Sequence, residues 1–424
     1  MKKRTVVALV LALVMLVGLA PVSHAEVDKN ITYTLEFPSW QATEAGFSDW
    51  WNTAIAKFKE EYPNVTINFY QVPYANYIDT LTTMFAAGNP PHITHLPSKN
   101  FFQFQNMGWL QSMEDLIATT EIPEKWNGAQ ADLQVDGENY GILLYAGSYA
   151  LFYNEAMLEE AGVGVPTNIE ELKEAALKTT TKDADGNVIH FGIGIDNTNT
   201  NSAFINATHF VIGNKTHWTK EDGSSNLSDP LLAEALENYK YFFDNGLTPL
   251  GVANTQLRQY FVEGKIAMLL DGPWVIAMMR DADESIRDDL KITRMPFEVL
   301  SSNTSNSVHM PTTLNETERE LVWAFYKILV TDEMQTLFGE LVDSPPPKAG
   351  ALSEDLLARK PYLGQLVEYG ADGISVVPPG MGLYWNEYSA TVASAIASLV
   401  TDPSNSVEDM LADLQVELDD ILSQ

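Results

Sequence analysis

Strand-like and helix-like segments alternate along this chain, and that alternation restricts the folds open to it more than any other feature. Ile31 to Phe37 has strand character, after which Trp51, Ile55, Phe58 and Tyr62 recur at helical spacing until Pro63 stops them. Val65, Ile67 and Phe69 then alternate as a second strand. A helix around Tyr77, Leu81 and Met84 follows, closed by Gly88-Asn89-Pro90-Pro91, and Ile93 to Leu96 is a short third strand. Strand, helix, strand in succession predicts a parallel sheet covered on both faces, an α/β architecture.

The second half repeats this pattern with clear punctuation. Thr167 with Glu170 predicts a capping box opening a helix through Leu172 and Ala176, and Ile189 to Ile195 is the strand after it. Asp229-Pro230 starts another helix and Asn245-Gly246 ends it. Asn315 with Glu318 caps a helix carrying Leu321, Phe325 and Ile328, and Ser406 with Asp409 starts a terminal helix with Leu411, Leu414 and Leu418 inward. Ile266 to Leu270 is a strand that can be buried on both sides, and Gly272-Pro273 turns the chain sharply, leaving Asp271 and Trp274 at its carboxyl end. Ligands of open α/β sheets bind at such ends, although a buried tryptophan plugging a core fits the same residues. Asn197 to Ser228, rich in Asn, Thr, Ser and His with Phe204, Phe210 and Trp218 interspersed, is expected as a long functional loop.

Lys2, Lys3 and Arg4 precede an apolar run from Val6 to Ala20, then Pro21, Ser23 and Ala25. This predicts a secretory signal over 1–25, cleaved after Ala25. The run has about 15 residues where a spanning helix needs about 20, and no later segment is apolar enough to span, so no membrane insertion is expected after cleavage. The chain has no cysteine, which rules out disulfides and a lipid thioether. A protein exported across the inner membrane is expected, periplasmic where an outer membrane exists. At 399 of the 424 residues the mature chain exceeds what one core usually organises, so at least two lobes are expected. The formal charge of −32 becomes more negative still once Lys2, Lys3 and Arg4 are removed, and such a surface repels nucleic acid and anionic lipid.

Common catalytic patterns are missing from the sequence. Cysteine nucleophiles are excluded, and no Gly-x-Ser-x-Gly elbow, Walker motif or dinucleotide fingerprint occurs; Gly192-Ile193-Gly194 lacks the third glycine and helix start. Asp183 to Asn187 begins like a calcium loop, but Gly194 stands where its last ligand belongs, so a plain turn is expected. His92 and His95 fall at odd separation on a strand and face opposite sides, which argues against a shared metal. Neither metal nor cofactor is expected, and nothing positively marks an enzyme.

Several segments taken in order resemble the extracellular solute-binding proteins of ATP-driven (ABC) importers, specifically the maltodextrin-binding-like group for sugars. They are Phe58-Lys-Glu-Glu-Tyr-Pro63, Phe85-Ala-Ala-Gly-Asn-Pro-Pro-His92, Gly108-Trp-Leu110, Tyr140 to Tyr145 leading to Leu151-Phe-Tyr-Asn154, Gly264 to Trp274, and Pro378 to Tyr388. His92 departs from the pattern, standing where the family commonly has an acid. The resemblance implies a two-lobed periplasmic-binding-protein fold (type II-like) with a ligand cleft between α/β lobes, one at 26–143 plus 274–312 and the other at 144–273 plus 313–424. It also implies a sugar or oligosaccharide ligand, a membrane permease as partner, and a monomer that works by closing its lobes.

A sugar presents hydroxyls at its edge and C–H patches on its faces, so a selective cleft needs flat aromatics and planar polar groups. Trp40, Gln41 and Glu44 follow the first strand, and Ser98, Lys99 and Asn100 follow the third. Tyr145 lies past the first crossing, Asp271 and Trp274 lie at the second, and Trp385 with Asn386 lies in the last loop. In sugar binders of this kind, positions resembling these often face the cleft. Trp385 also begins an apolar helix with Val392 and Ile396, which fits a core residue equally, and Lys99 fits a solvated cap. Trp50, Trp51, Trp109 and Trp323 are expected in cores; Trp218 is left open. A different solute on the same scaffold, such as a glycerophosphodiester, polyamine or other cation, and a secreted carbohydrate-active enzyme are the alternatives.

Overall fold

A computed structural model describes residues 27–126, 128–198, 201–371 and 373–422. The expected signal at 1–25 lies outside them. Two sheets organise the chain. In the first, β1 (Tyr33–Ser39) and β2 (Val65–Gln71) pair in parallel with Leu35 opposite Ile67 and Phe37 opposite Phe69. β3 (Thr94–Pro97) lies beside β1, where the Ile93 N–H donates to the Glu36 carbonyl. β4 (Ile142–Ser148) joins this sheet at its far side and leads directly into β5 (Ala150–Asn154) of the second sheet.

The second sheet contains β5, β6 (Thr181–Lys182), β7 (Val188–Gly194), β8 (Ile266–Asp271) and β9 (Leu290–Thr293) in the order β9-β5-β8-β7-β6. β8 runs parallel to β7 but antiparallel to β5, so the sheet is mixed rather than purely parallel. As its sequence requires, every residue of β8 is buried. The chain then returns through β10 (Ser301–His309), which pairs antiparallel with both β3 and β4 in the first sheet.

Helices cover each sheet. Phe47–Glu61 buries Trp50, Trp51 and Phe58 in the first core; Asn201–Gly213, Pro230–Asp244, Trp385–Thr401 and Val407–Leu422 build the second, around Trp218, Tyr239 and Trp385. The expected division by residue number differs from this packing in two places. Residues 274–293 join the second sheet, since β9 pairs with β5 and Val275 and Ile276 pack with Leu257 and Phe261. Residues 316–342 join the first core, where the Trp50 indole donates to the Met334 carbonyl at 2.8 Å and Phe325 packs on Phe37, Trp51 and Phe58. Apolar periodicity fixes which helix face is buried, not which sheet buries it.

The capping box at Asn315 and Glu318 forms, as do the caps at Asp229 and Ser406. The helix after Val165 is instead capped one residue later than expected, by Asn168 on the Glu171 N–H. The expected loop from Asn197 to Ser228 contains a helix over Asn201–Gly213, with Phe204, Phe210 and Trp218 buried. Its polar residues are satisfied by tertiary partners: Asn206 accepts the Asp196 N–H, and Thr208 accepts the Trp218 indole N–H. Composition could not see those partners.

Candidate functional site

The candidate cleft begins where β1 stops. Ser39 accepts the Gln41 N–H, bending the chain into a single tight turn at Trp40–Thr43, and its hydroxyl also meets His95 Nδ1 at 3.0 Å. The Trp40 indole stacks on the His95 ring, with centroids 4.3 Å apart, and stands edge-on to Tyr74 and Tyr77. Only 6% of Trp40 is exposed, whereas 45% of Tyr74 is, so Tyr74 presents most of the free aromatic surface here. Burial holds the His95 imidazole neutral, lowering its pKa to about 3. Gln41 is buried and accepts the Trp51 indole N–H at 2.9 Å, while its own amide nitrogen has no partner.

At the end of β3, Lys99 sits between two rings, 5.8 Å from that of Tyr74 and 5.3 Å from that of Trp385. Tyr74 belongs to the first lobe and Trp385 to the second. Beside it Asn100 Nδ2 donates to Asn386 Oδ1 at 2.6 Å, and Asn386 Nδ2 donates to Gln103 Oε1 at 2.7 Å. An amide chain therefore ties one lobe to the other. Asn100 Oδ1, Trp385 Nε1 and the Tyr388 hydroxyl are buried without a hydrogen-bond partner in the structure. Such groups are costly unless something satisfies them.

A second cluster forms at the end of β8. Asp271, 1% exposed, takes Arg258 bidentately and also accepts the Gly272 N–H and the Trp274 indole N–H. The Arg258 guanidinium lies 5.2 Å from the Trp274 ring centre. Gly272 is required at the turn because a Cβ there would strike the indole. Trp274 is half-buried and packs against the cores of both lobes, with Tyr149 edge-on to it. Glu44 faces this cluster from the first lobe: burial raises its pKa to about 7, opposed by the positive charge of Arg258.

The structure thus brings Trp40, Lys99, Asn100, Trp385 and Asn386 together, and Glu44, Asp271 and Trp274 around Arg258. Ser98 lies at the end of β3, 8% exposed. Tyr145 sits in the first lobe's core between Phe47 and Phe338, its hydroxyl accepting from Asn306. Trp385 is 1% exposed and edge-on to Phe204, so it is a core residue, and its indole nitrogen has no partner. Asp271 is consumed by its own neighbours.

Three residues of the candidate site escaped sequence reading. Tyr74 opens the helix after β2 and was findable by the strand-end rule already applied to Trp40. Arg258 and Tyr149 carry no local signal, and Arg258 adds a cation to a cleft in which sequence reading placed only Lys99. A depression of about 340 Å³ lined by Glu121, Trp126, Lys327, Asp332 and Lys348 lies elsewhere on the protein and shares no residue with this cleft.

Residues 53–364 match the family described as bacterial extracellular solute-binding protein. A binding protein of Brucella abortus is 26% identical over 234 residues, 54% of this chain and 56% of its own length. The maltotriose-binding protein of Pyrococcus abyssi is 26% identical over 230 residues, 53% of this chain and 47% of its own. This chain therefore spans about half the length of such curated relatives. Among solved structures, the GacH receptor of Streptomyces glaucescens, determined unliganded and with acarbose, superimposes with a TM-score of 0.81 at 17% identity, covering 93% of this chain and all of that one. The likeness establishes the two-lobed fold. With well over half of its residues inside the family match, the chain belongs to the bacterial extracellular solute-binding proteins.

Proposed function

We propose that this protein captures a sugar or oligosaccharide between its lobes outside the cytoplasm and delivers it to the permease of an ABC importer. The observation that carries the reading is the composition of the cleft. Trp40 and Tyr74 of the first lobe adjoin, through Lys99, the buried and unpartnered Asn100 Oδ1, Trp385 Nε1 and Tyr388 hydroxyl, and Trp274 adds an aromatic ring at the second cluster. Flat apolar faces suit sugar C–H surfaces, and unfilled polar atoms suit hydroxyls. A relative named for maltotriose and a fold neighbour holding acarbose support the same class.

Capture follows from the geometry: a ligand touching both lobes stabilises the closed shape by its differential affinity for it, and that shape is what a permease recognises. A micromolar dissociation constant corresponds to about 8 kcal/mol, which a few stacked rings and desolvated hydrogen bonds supply. Neither metal nor covalent step is needed, and the protein acts as a monomer. A cationic solute is disfavoured, because Asp271 is neutralised by Arg258 and burial raises the Glu44 pKa to about 7, which weakens its charge near neutral pH. No helix among the described residues is long and apolar enough to cross a membrane. Together with the exported family and the Lys2 to Ala25 segment, this supports a periplasmic or otherwise extracytoplasmic location.

Thermal shift over a panel including maltose, maltotriose, galacto-oligosaccharide and diacetylchitobiose tests the reading, since ligand at about 100 times its dissociation constant adds about 2.7 kcal/mol. Calorimetry then gives the affinity. Sustained release of hydrolysis product by stoichiometric protein would replace binding with catalysis.

A further inference from the structure

A buried row of hydrogen bonds behind Ser98 fixes which way its hydroxyl points. His309 Nδ1 lies 2.8 Å from the Tyr140 carbonyl oxygen, which has lone pairs only, so Nδ1 must carry a proton. The ring is buried, and burial lowers its pKa to about 4, so at neutral pH it holds one proton and Nε2 is an acceptor. Ser307 Oγ, 2.7 Å from Nε2, must therefore spend its only proton on His309. Ser98 Oγ lies 3.1 Å from Ser307 Oγ; with the Ser307 proton committed, only the Ser98 proton can make this contact a bond rather than a clash of lone pairs.

The row is held rigidly. Ser307 and His309 are two apart on β10 and so share a face. Phe101 stacks on the imidazole at 5.5 Å between centroids, and Gly141 lies against its other edge so closely that a Cβ there would collide with it. These contacts hold the ring with Nδ1 toward the Tyr140 carbonyl and Nε2 toward Ser307; a flipped ring would put carbon atoms at both positions and lose both bonds.

We infer that His309, acting through Ser307, makes Ser98 an obligate hydrogen-bond acceptor at the end of β3, so that a solute bound there must present a hydroxyl that donates. His309 and Ser307 are positioning residues, and the inference rests on the sugar-binding reading of the cleft. It excludes ligands offering only acceptors at that point, such as carboxylates, ethers and phosphate esters.

Two measurements test it. In ¹⁵N-labelled wild-type protein without ligand, long-range ¹H–¹⁵N spectra at neutral pH, with His309 assigned through His309→Gln, should show Nδ1 protonated and Nε2 bare. A protonated Nε2 overturns the relay whatever the protein binds. For each of maltose, maltotriose and diacetylchitobiose that binds, monodeoxyfluoro analogues replace one donor hydroxyl by an acceptor of similar size. At one ring position the fluoro analogue should bind wild type at least about tenfold more weakly than its parent sugar. In Ser307→Ala the Ser98 hydroxyl is free to turn outward, and the fluoro analogue should recover by about threefold or more relative to the parent. An unchanged ratio overturns the inference, and mere loss of structure lowers both affinities without moving it. Failure of every panel sugar to bind overturns the proposed function and the ligand half of this inference, whereas the tautomer spectrum fails or succeeds independently.

Discussion

Arg258 and Asp271 form a bidentate pair, Nε to Oδ2 at 2.6 Å and Nη2 to Oδ1 at 3.0 Å, and the same carboxylate holds the Trp274 indole N–H at 2.8 Å. One buried acid thus orients both a guanidinium and an aromatic plate at the end of β8. Asp271→Asn keeps the size but leaves Arg258 facing a neutral amide. Removing one partner of a buried pair costs about 3 kcal/mol. Urea unfolding should show a loss of that order; a change under about 1 kcal/mol would mean the guanidinium is already solvated.

Trp274 and Tyr74 separate ligand contact from packing. Tyr74 is 45% exposed, so Tyr74→Ala should leave stability within about 0.5 kcal/mol while weakening sugar binding about tenfold. Trp274→Ala should weaken binding at least as much but also cost about 2 kcal/mol of stability, because its half-buried ring supports both lobes. Calorimetry with urea melts on both variants checks this, and full affinity in Tyr74→Ala would remove that ring from the site.

Glu44 gives a pH dependence of known sign. Its folded pKa of about 7 stands above the ordinary carboxylate value of 4.5, so the folded state holds the proton more tightly than the unfolded chain. The associated stability is fully present below about pH 4.5 and is lost as pH rises through about 7. Glu44 retains some solvent contact, so the loss is discounted to roughly 2 kcal/mol between about pH 5 and 8. Glu44→Gln should lack that component; parallel stability profiles for wild type and variant would contradict it.

The Asn100, Asn386 and Gln103 amide chain crosses between lobes. Asn386→Ala removes both bonds, and without ligand the lobes should spend more time apart. Small-angle scattering should show the radius of gyration rising by about 1 Å from roughly 21 Å. Equal radii for ligand-free wild type and variant would show that the chain does not hold the lobes together.

Read alone, the sequence determined part of the local grammar: where β1, β2, β3, β7 and β8 lie to within two residues, that β8 is buried on both sides, and that Asp229, Asn315 and Ser406 start helices, while β4, β5, β9 and β10 went unread. These follow from side-chain periodicity and backbone preference, which act within a few residues. It also placed Trp40, Lys99, Asn100, Asp271 and Trp274 at strand ends. Only the tertiary structure decided that residues 274–293 and 316–342 cover the sheets they do, that Tyr145 and Trp385 are buried, and that Arg258 meets Asp271. A burial pattern records that a face is covered without naming what covers it, and an ion pair closing across 13 residues leaves no periodic trace in either segment.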